Sequence, residues 1–373
     1  MPEMEKPLVD VPRFGVQEST KGSDAIKHGE RIARLSECKK RSRQMAAHLK
    51  NSDLHPEHHR YGHDVAGCAN YLVFNHYYTV DQVRLAKART CKRHLLCPFC
   101  ARARAAKMVE KYLERFNLLQ EQNPHQKAVF LTLTVKNGPD LQERFRHLVK
   151  AFRKYQEQRR DSIKKGRGYN ELSKARGGVF SYEVTNKGNG WHPHLHAVLL
   201  VDDFIDQREL SAEWERITGD SKIVDVRLLK PKGDDMAEAF CEVFKYALKF
   251  SELSLDDNLE AFDQLKGKRL QGAFGNFWGV KVPEKLTDEL LPDLPYLELF
   301  YKYDRNKGYD LAEIKECEPD NQRDERFSTN LWEEKGANSA EIIDLSTGEL
   351  RQGVGAARSP KGEDSAPCTA PPT

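Results

Sequence analysis

The stretch "GGVFSYEVTNKGNGWHPHLHAVLLV", residues 177–201, decides the fold. Two β-prone runs, 177–184 and 192–201, flank "TNKGNGW", whose Asn and Gly residues suit a tight reversal, so the stretch reads as an antiparallel hairpin. Upstream, "AVFLTLTV" (128–135) reads as a strand stopped by "NGP". A basic helical pattern follows from about Asp140 to Lys165 and is ended by "GRG". Downstream, "DQRELSAEWERITG" reads as a helix and "KIVDVRLL" (222–229) as a strand. The order β-α-β-β-α-β is the split βαβ arrangement of an antiparallel, ferredoxin-like or palm-type sheet. The expected class is therefore α+β. "DDMAEAFCEVFKYALKFSEL" (234–253) adds a helix, and "LKGKRLQGAFGNFWGV" closes the domain.

Alternate residues of a strand share a face, so His192, His194 and His196 stand in one row. Glu183, on the facing strand, can point to the same side. Imidazoles suit a transition metal, and a carboxylate brings in Mg²⁺ or Mn²⁺. His194, His196 and Glu183 would leave positions open for water or substrate, as a catalytic ion requires. His192 competes with Glu183 for the third place, although Pro193 restricts the chain there. Taken alone, the row also suits a polar face at a sheet edge.

"EVFKYALK" (242–249) is amphipathic at 100° per residue. Phe240, Val243, Phe244, Ala247 and Leu248 share one side; Glu242, Lys245, Tyr246 and Lys249 share the other. Glu242 and Tyr246 are four apart and so adjacent on that face. A phenol is a poor nucleophile at neutral pH, with a reference pKa of about 10. Neighbouring lysines and a polarised phosphate would favour its attack, and a carboxylate beside it would suit activation of water.

The chain carries eight cysteines, and Cys68, Cys91, Cys97 and Cys100 form a spaced group that includes "CPFC". Clustered thiols of this kind point to structural Zn²⁺ more than to disulfides. His94, His59 and His63 are rivals for the fourth ligand. Cys38, Cys241, Cys317 and Cys368 read as ordinary free thiols.

Net charge is only +3, but it is unevenly spread. One basic stretch runs from Arg84 to Lys111 and includes Arg102 and Arg104. A second runs from Arg144 to Arg176 and includes Arg153 and Lys154. Such surfaces fit phosphate backbones, although each alone suits a solvated helix face. No apolar run is long enough to cross a bilayer, and "MPEMEKPLVDVPRFG" lacks the apolar core of a signal peptide. A soluble cytoplasmic protein is the expectation.

Together these segments resemble the HUH endonuclease superfamily, and within it the single-tyrosine initiator (Rep) proteins of rolling-circle plasmids. "FLTLTVKN" matches the first family motif, "YEVTNKGNGWHPHLHAVLL" the second and "EVFKYALK" the third, and the cysteine group precedes the first. Two-tyrosine relatives carry a second Tyr one helical turn away. Here Phe250 and Glu242 occupy those positions, which implies the one-tyrosine, one-glutamate type. The resemblance implies His194 and His196 as ligands of a divalent ion and Tyr246 as the nucleophile on single-stranded origin DNA. It implies a 5′-phosphotyrosine with a free 3′ hydroxyl as primer, and Glu242 activating water at termination. A host helicase, polymerase and single-strand binding protein are the partners it implies. A transposase with the same chemistry, a histidine-triad nucleotide hydrolase and a non-enzymatic zinc-dependent DNA-binding regulator are the competing readings.

The expected organisation is a polar N-terminal extension (1–60, a tail with some helix), a zinc-binding module with a basic helix (61–124) and an HUH nicking domain (125–285). A C-terminal region without an assigned role (286–350) and a disordered tail (351–373) follow, with "PEKLTDELLPDLP" read as a linker.

Overall fold

The computed structural model describes residues 24–52, 56–230, 234–244 and 253–319. The chain divides into two compact units, Met1–Glu318 and Pro319–Thr373, and every described element lies in the first. In chain order these elements are α1 (Asp24–Lys50), α2 (Pro56–Gly67), β1 (Tyr71–Tyr77), β2 (Gln82–Ala88), α3 (Pro98–Gln122), β3 (Lys127–Thr134) and α4 (Leu141–Lys165). They continue with β4 (Ala175–Asn186), β5 (Trp191–Val201), α5 (Gln207–Thr218), β6 (Val224–Leu229), α6 (Asp234–Val243), α7 (Leu255–Leu265), β7 (Gln271–Gly275), β8 (Tyr296–Asp304) and β9 (Gly308–Cys317).

The central sheet has the order β6-β3-β5-β4-β7 with every pair antiparallel. Its first four strands are the expected split βαβ layout, and β7 extends it beside β4. The helices stop where local chemistry says they should. Asp140 caps α4 by accepting from the Glu143 amide, and Gly166 ends it in the left-handed region at φ 62°. Asp206 and Gly219 do the same for α5.

Both sheet faces are covered, which explains the nearly continuous apolar run of β5. On one face Leu131, Leu133, Leu195 and Leu199 pack under Phe145, Phe152 and Tyr155 of α4 and Trp214 of α5. The Trp214 indole donates to the Thr134 carbonyl at 2.7 Å, so its one polar atom is satisfied in the core. On the other face Phe130, Val179, Val198 and Leu200 pack under Met108, Tyr112 and Phe116 of α3 and Phe240 and Phe244. Truncating a ring buried like Phe240 costs about 3–5 kcal/mol.

A second antiparallel sheet, β2-β1-β8-β9, is built from residues far apart in the chain. The region 286–350, which carries no role in the sequence reading, therefore supplies two strands to the N-terminal sheet. The expected linker is packed as well: Asp288 accepts from the Leu85 amide at 2.6 Å, and Leu291 and Leu294 lie against Tyr77 and Tyr296. Residues 24–50, expected as a tail with some helix, form one long helix. Its Leu35, Cys38, Met45, Ala46 and Leu49 are core residues. Lys39 and Ser42 share that buried side, and these two polar residues hide the apolar stripe from a periodicity reading. The helix expected over 234–253 is described to Val243; a separate helix, α7, starts after Ser254, whose hydroxyl accepts from the Asp257 amide at 3.0 Å. Among the described residues no helix is long and apolar enough to cross a membrane.

Candidate metal centre

The hairpin register sets Glu183 opposite His194 and Ser181 opposite His196, and β3 sets Thr132 opposite His196. Directly paired residues of antiparallel strands project to the same face. Glu183, His194 and His196 thus meet on the face that α3 and α6 cover, and all three are buried. Glu183 Oε1 lies 3.4 Å from His194 Nε2, and Oε2 lies 3.5 Å from His196 Nε2. One donor atom from each converges within 4.8 Å of the others.

The ring nitrogens away from the centre are also engaged. His194 Nδ1 lies 3.2 Å from the His192 carbonyl, which can only accept, so Nδ1 donates there and Nε2 is the nitrogen turned to the centre. His196 Nδ1 lies 3.1 Å from the Thr132 hydroxyl. Outer partners of this kind orient imidazoles in metal sites. His192 stacks on His194 at 5.3 Å, and its Nδ1 faces Asn137 Oδ1 at 2.5 Å. Burial, reinforced by His194, lowers its pKa to about 4. His192 is outside the converging set. The donor set, two imidazole nitrogens and one carboxylate, fits a divalent ion.

The second converging group is Cys68, Cys91, Cys97 and Cys100. Cys68 follows α2, Cys91 follows β2, Cys97 caps α3 and Cys100 sits in its first turn. The sulfurs of Cys68 and Cys100 are 3.5 Å apart, those of Cys91 and Cys100 3.6 Å, and those of Cys68 and Cys97 3.6 Å. Four thiolates about 2.3 Å from one Zn²⁺ would stand roughly 3.8 Å apart, so the set fits that ion. Hydrogen bonding from Cys100, then Cys68 and Cys91, holds Cys97 well below the usual thiol range. His59, His63 and His94 are not in the group. Lys39, fully buried, donates to the carbonyls of Ala66 (2.9 Å) and Cys68 (2.5 Å) and to Asn70 Oδ1 (2.8 Å). Ser42 Oγ lies 3.4 Å from Cys97 Sγ. Sequence reading missed both Lys39 and Ser42, because they sit on a helix read as a tail.

α6 packs on the sheet with Phe240 and Val243 buried and Glu242 half-buried, and Phe244, just after it, is buried as well. The Ser181 hydroxyl donates to the Val243 carbonyl. Lys245, Tyr246 and Lys249 lie outside the described residues. Of the proposed DNA contacts, Arg104, Arg153 and Lys154 are exposed, whereas Arg102 is half-buried and hydrogen-bonds the Cys38 thiol. Thr132 and Ser181 also escaped the sequence reading. Their signal was present: each is a hydroxyl on the histidine face of an otherwise apolar strand.

Comparison with known proteins adds an independent line. A family described as replication protein (Rep_1) matches residues 82–298. A Protein rep of Streptococcus pneumoniae serotype 2 (strain D39 / NCTC 7466) is 28% identical over 232 residues, covering 57% of this chain and 69% of that protein. A Protein rep of Staphylococcus aureus is 26% identical over 200 residues, covering 50% of this chain and 82% of that protein. A Replication protein of Bacillus sp is 26% identical over 169 residues, covering 39% of this chain and 67% of that protein. No solved structure matches. The family match spans more than half of the chain and includes the histidine hairpin, and the chain belongs to the Rep_1 replication proteins, initiators of the rolling-circle plasmid type that its motifs resemble.

Proposed function

We propose that the protein starts rolling-circle replication by nicking single-stranded DNA at a plasmid origin. The observation that carries the reading is the convergence of Glu183, His194 and His196 beside the end of α6. The chain reaches Val243 at the strand that bears Glu183, and Tyr246 follows three residues later. Three residues span at most about 11 Å, a tether short enough to be compatible with the role proposed for Tyr246.

Glu183, His194 and His196 would hold Mg²⁺ or Mn²⁺, which when bound supplies charge stabilisation to the scissile phosphate. Tyr246 gives up its phenolic proton to solvent and its Oη attacks phosphorus; the P–O3′ bond breaks, and the 3′ oxygen takes a proton from solvent and leaves as a hydroxyl. The product is a 5′-phosphotyrosine and a primer end. Lys245 and Lys249, on the same helical side as Tyr246 in the sequence pattern, favour the phenolate. Glu242 takes a proton from water in the second cleavage, so termination proceeds without a second tyrosine. Cys68, Cys91, Cys97 and Cys100 hold Zn²⁺ in the N-terminal module (61–124), and residues 125–285 form the nicking domain. Arg102, Arg104, Arg153 and Lys154 contribute to DNA binding. The protein acts in the cytoplasm with a host helicase, polymerase and single-strand binding protein.

The test is incubation with origin single strand and Mn²⁺, followed by a search for a covalent protein–DNA adduct. An adduct is expected from the natural protein and none from Tyr246→Phe. Duplex binding with no cleavage in any divalent ion would support a DNA-binding regulator instead.

A further inference from the structure

We propose that Trp278 and Arg269 form a stacking platform for an unpaired base of single-stranded DNA, at the β7 edge of the central sheet. The proposal rests on the reading that this protein acts on single-stranded DNA. Trp278 is 67% exposed, whereas Trp191 and Trp214 are buried. Exposure of so large an apolar ring is unusual and marks an interaction surface.

The ring is held out by a fixed turn. The Trp278 amide donates to the Gly275 carbonyl at 2.9 Å, and Arg115 Nε donates to the Asn276 carbonyl at 2.9 Å. Phe277, the preceding residue, is fully buried in the core under α3 and α6. Gly275 has φ +58°, and a Cβ there would meet the Arg176 carbonyl oxygen at 2.0 Å, so the turn requires glycine.

One side of the indole is already engaged: the Arg269 guanidinium carbon lies 5.9 Å from the Trp278 ring centroid. A base stacking on the other side would complete the sandwich found in proteins that bind single strands. The position is also right. Gln271 pairs with Ser181, and Ser181 pairs with His196. The Tyr182 amide donates to the Leu270 carbonyl at 2.8 Å, which sets Arg269 level with Glu183. Two strand spacings separate this edge from the histidine strand, about 10 Å.

Charge completes the argument. Arg146, Arg153, Lys268 and Arg269 are all exposed. Lys268 lies over the Phe145 ring at 5.6 Å, and Arg146 and Arg153 stand on α4, on the other side of the same sheet edge. Among the described residues none of these four cations has a carboxylate partner within the 4.0 Å of an ion pair. Arg269, exposed and set against the Trp278 ring, suits a sugar–phosphate strand with an unstacked base, and Lys268 beside it in the chain adds charge to the same edge. A duplex offers no free base face to the indole.

Titration of the full chain with oligothymidylate, followed by tryptophan fluorescence, tests this. The natural protein is expected to be quenched, and Trp278→Phe to bind within about threefold while losing most of the quench. Trp278→Ala, an exposed site whose melting curve checks folding, is expected to weaken oligothymidylate binding about tenfold, the scale of one lost stacking contact. Its duplex affinity should stay within about twofold. Equal oligothymidylate affinity for Trp278→Ala and the natural protein would overturn the platform, as would a quench that survives Trp278→Phe. Failure of the nicking reading appears separately, as absence of an adduct, because the quench requires binding only.

Discussion

The Ser181 hydroxyl bonds the carbonyl of Val243, joining the strand that faces His196 to the last described turn before Tyr246. Ser181 is buried, so the bond is shielded from water. Under the proposed function Ser181 positions the nucleophile segment without touching DNA. Displacement of a reacting group by about 1 Å can cost on the order of 10²-fold in rate. Ser181→Ala is therefore expected to slow adduct formation about ten- to hundred-fold, with Mn²⁺ affinity within about twofold of normal. Ser181→Thr, which keeps the hydroxyl, should restore most of the rate. An unchanged rate in Ser181→Ala would remove the positioning role.

Thr132 acts one strand over. Its hydroxyl lies 3.1 Å from His196 Nδ1. Loss of an outer partner typically weakens a metal site by about 10–100-fold. Thr132→Val keeps the shape of the side chain and should raise the Mn²⁺ dissociation constant by that factor in calorimetric titration. His196→Ala should abolish binding. Equal Mn²⁺ affinity in Thr132→Val and the natural protein would show that the hydroxyl does not orient the ring.

The parts of this architecture legible in sequence are those carried by short-range pattern. β3 through β6 with their helices follow from period, turn residues and caps, and the Glu183–His194 pairing follows from one hairpin. The parts that were hidden depend on distant partners. β1 pairs with β8 across most of the chain, for example Phe74 with Leu299, and no local signal announces that. β9 is exposed from Asp310 to Glu316, between buried Tyr309 and Cys317, so it has little apolar alternation to read. α1 was obscured by Lys39 and Ser42, whose burial makes sense only once the cysteine group beside them is known.

Lys39 is the clearest case for energetics. Its ammonium serves three acceptors around the turn that carries Cys68. Lys39→Met would leave the Ala66 and Cys68 carbonyls and Asn70 Oδ1 short of a donor. Leaving a buried acceptor without its donor costs about 1–3 kcal/mol. Chemical denaturation should show a loss of about that size, together with faster zinc release to a chelator. A Lys39→Met protein as stable as the natural one would mean that packing alone holds the turn.

His28 links α1 to the N-terminal sheet, with Nε2 3.1 Å from the Tyr301 hydroxyl and its ring edge-on to Phe74. Burial, then the charges of Arg31 and His76, lower its pKa from 6.5 to about 4. Between these values the unfolded chain binds more protons than the folded one, so stability rises with pH across this window. The contribution is complete above about pH 6.5 and is lost as pH falls toward 4. Its size is on the order of 1 kcal/mol after allowance for partial exposure. His28→Phe should flatten that part of the stability–pH curve; an unchanged slope between pH 4 and 6.5 would exclude His28 as its source.

β8 and β9 make the last prediction, because they turn a region without an assigned role into part of the N-terminal module. β8 covers the free side of β1, and Leu299 and Tyr309 enter the core that holds Cys68, Cys97 and Phe99. The Tyr309 hydroxyl donates to the Ala69 carbonyl at 2.5 Å, next to the first cysteine. Ending the chain before Tyr296 would strip β1 of a full set of ladder bonds and leave a two-stranded hairpin, which is marginal in water. Such a truncated protein is expected to release zinc readily and to be cut by protease between residues 60 and 100. The five-stranded sheet has its own core, so Mn²⁺ binding should outlast that damage. Tight zinc retention and resistance to cleavage would show that β8 and β9 are dispensable to the cysteine module.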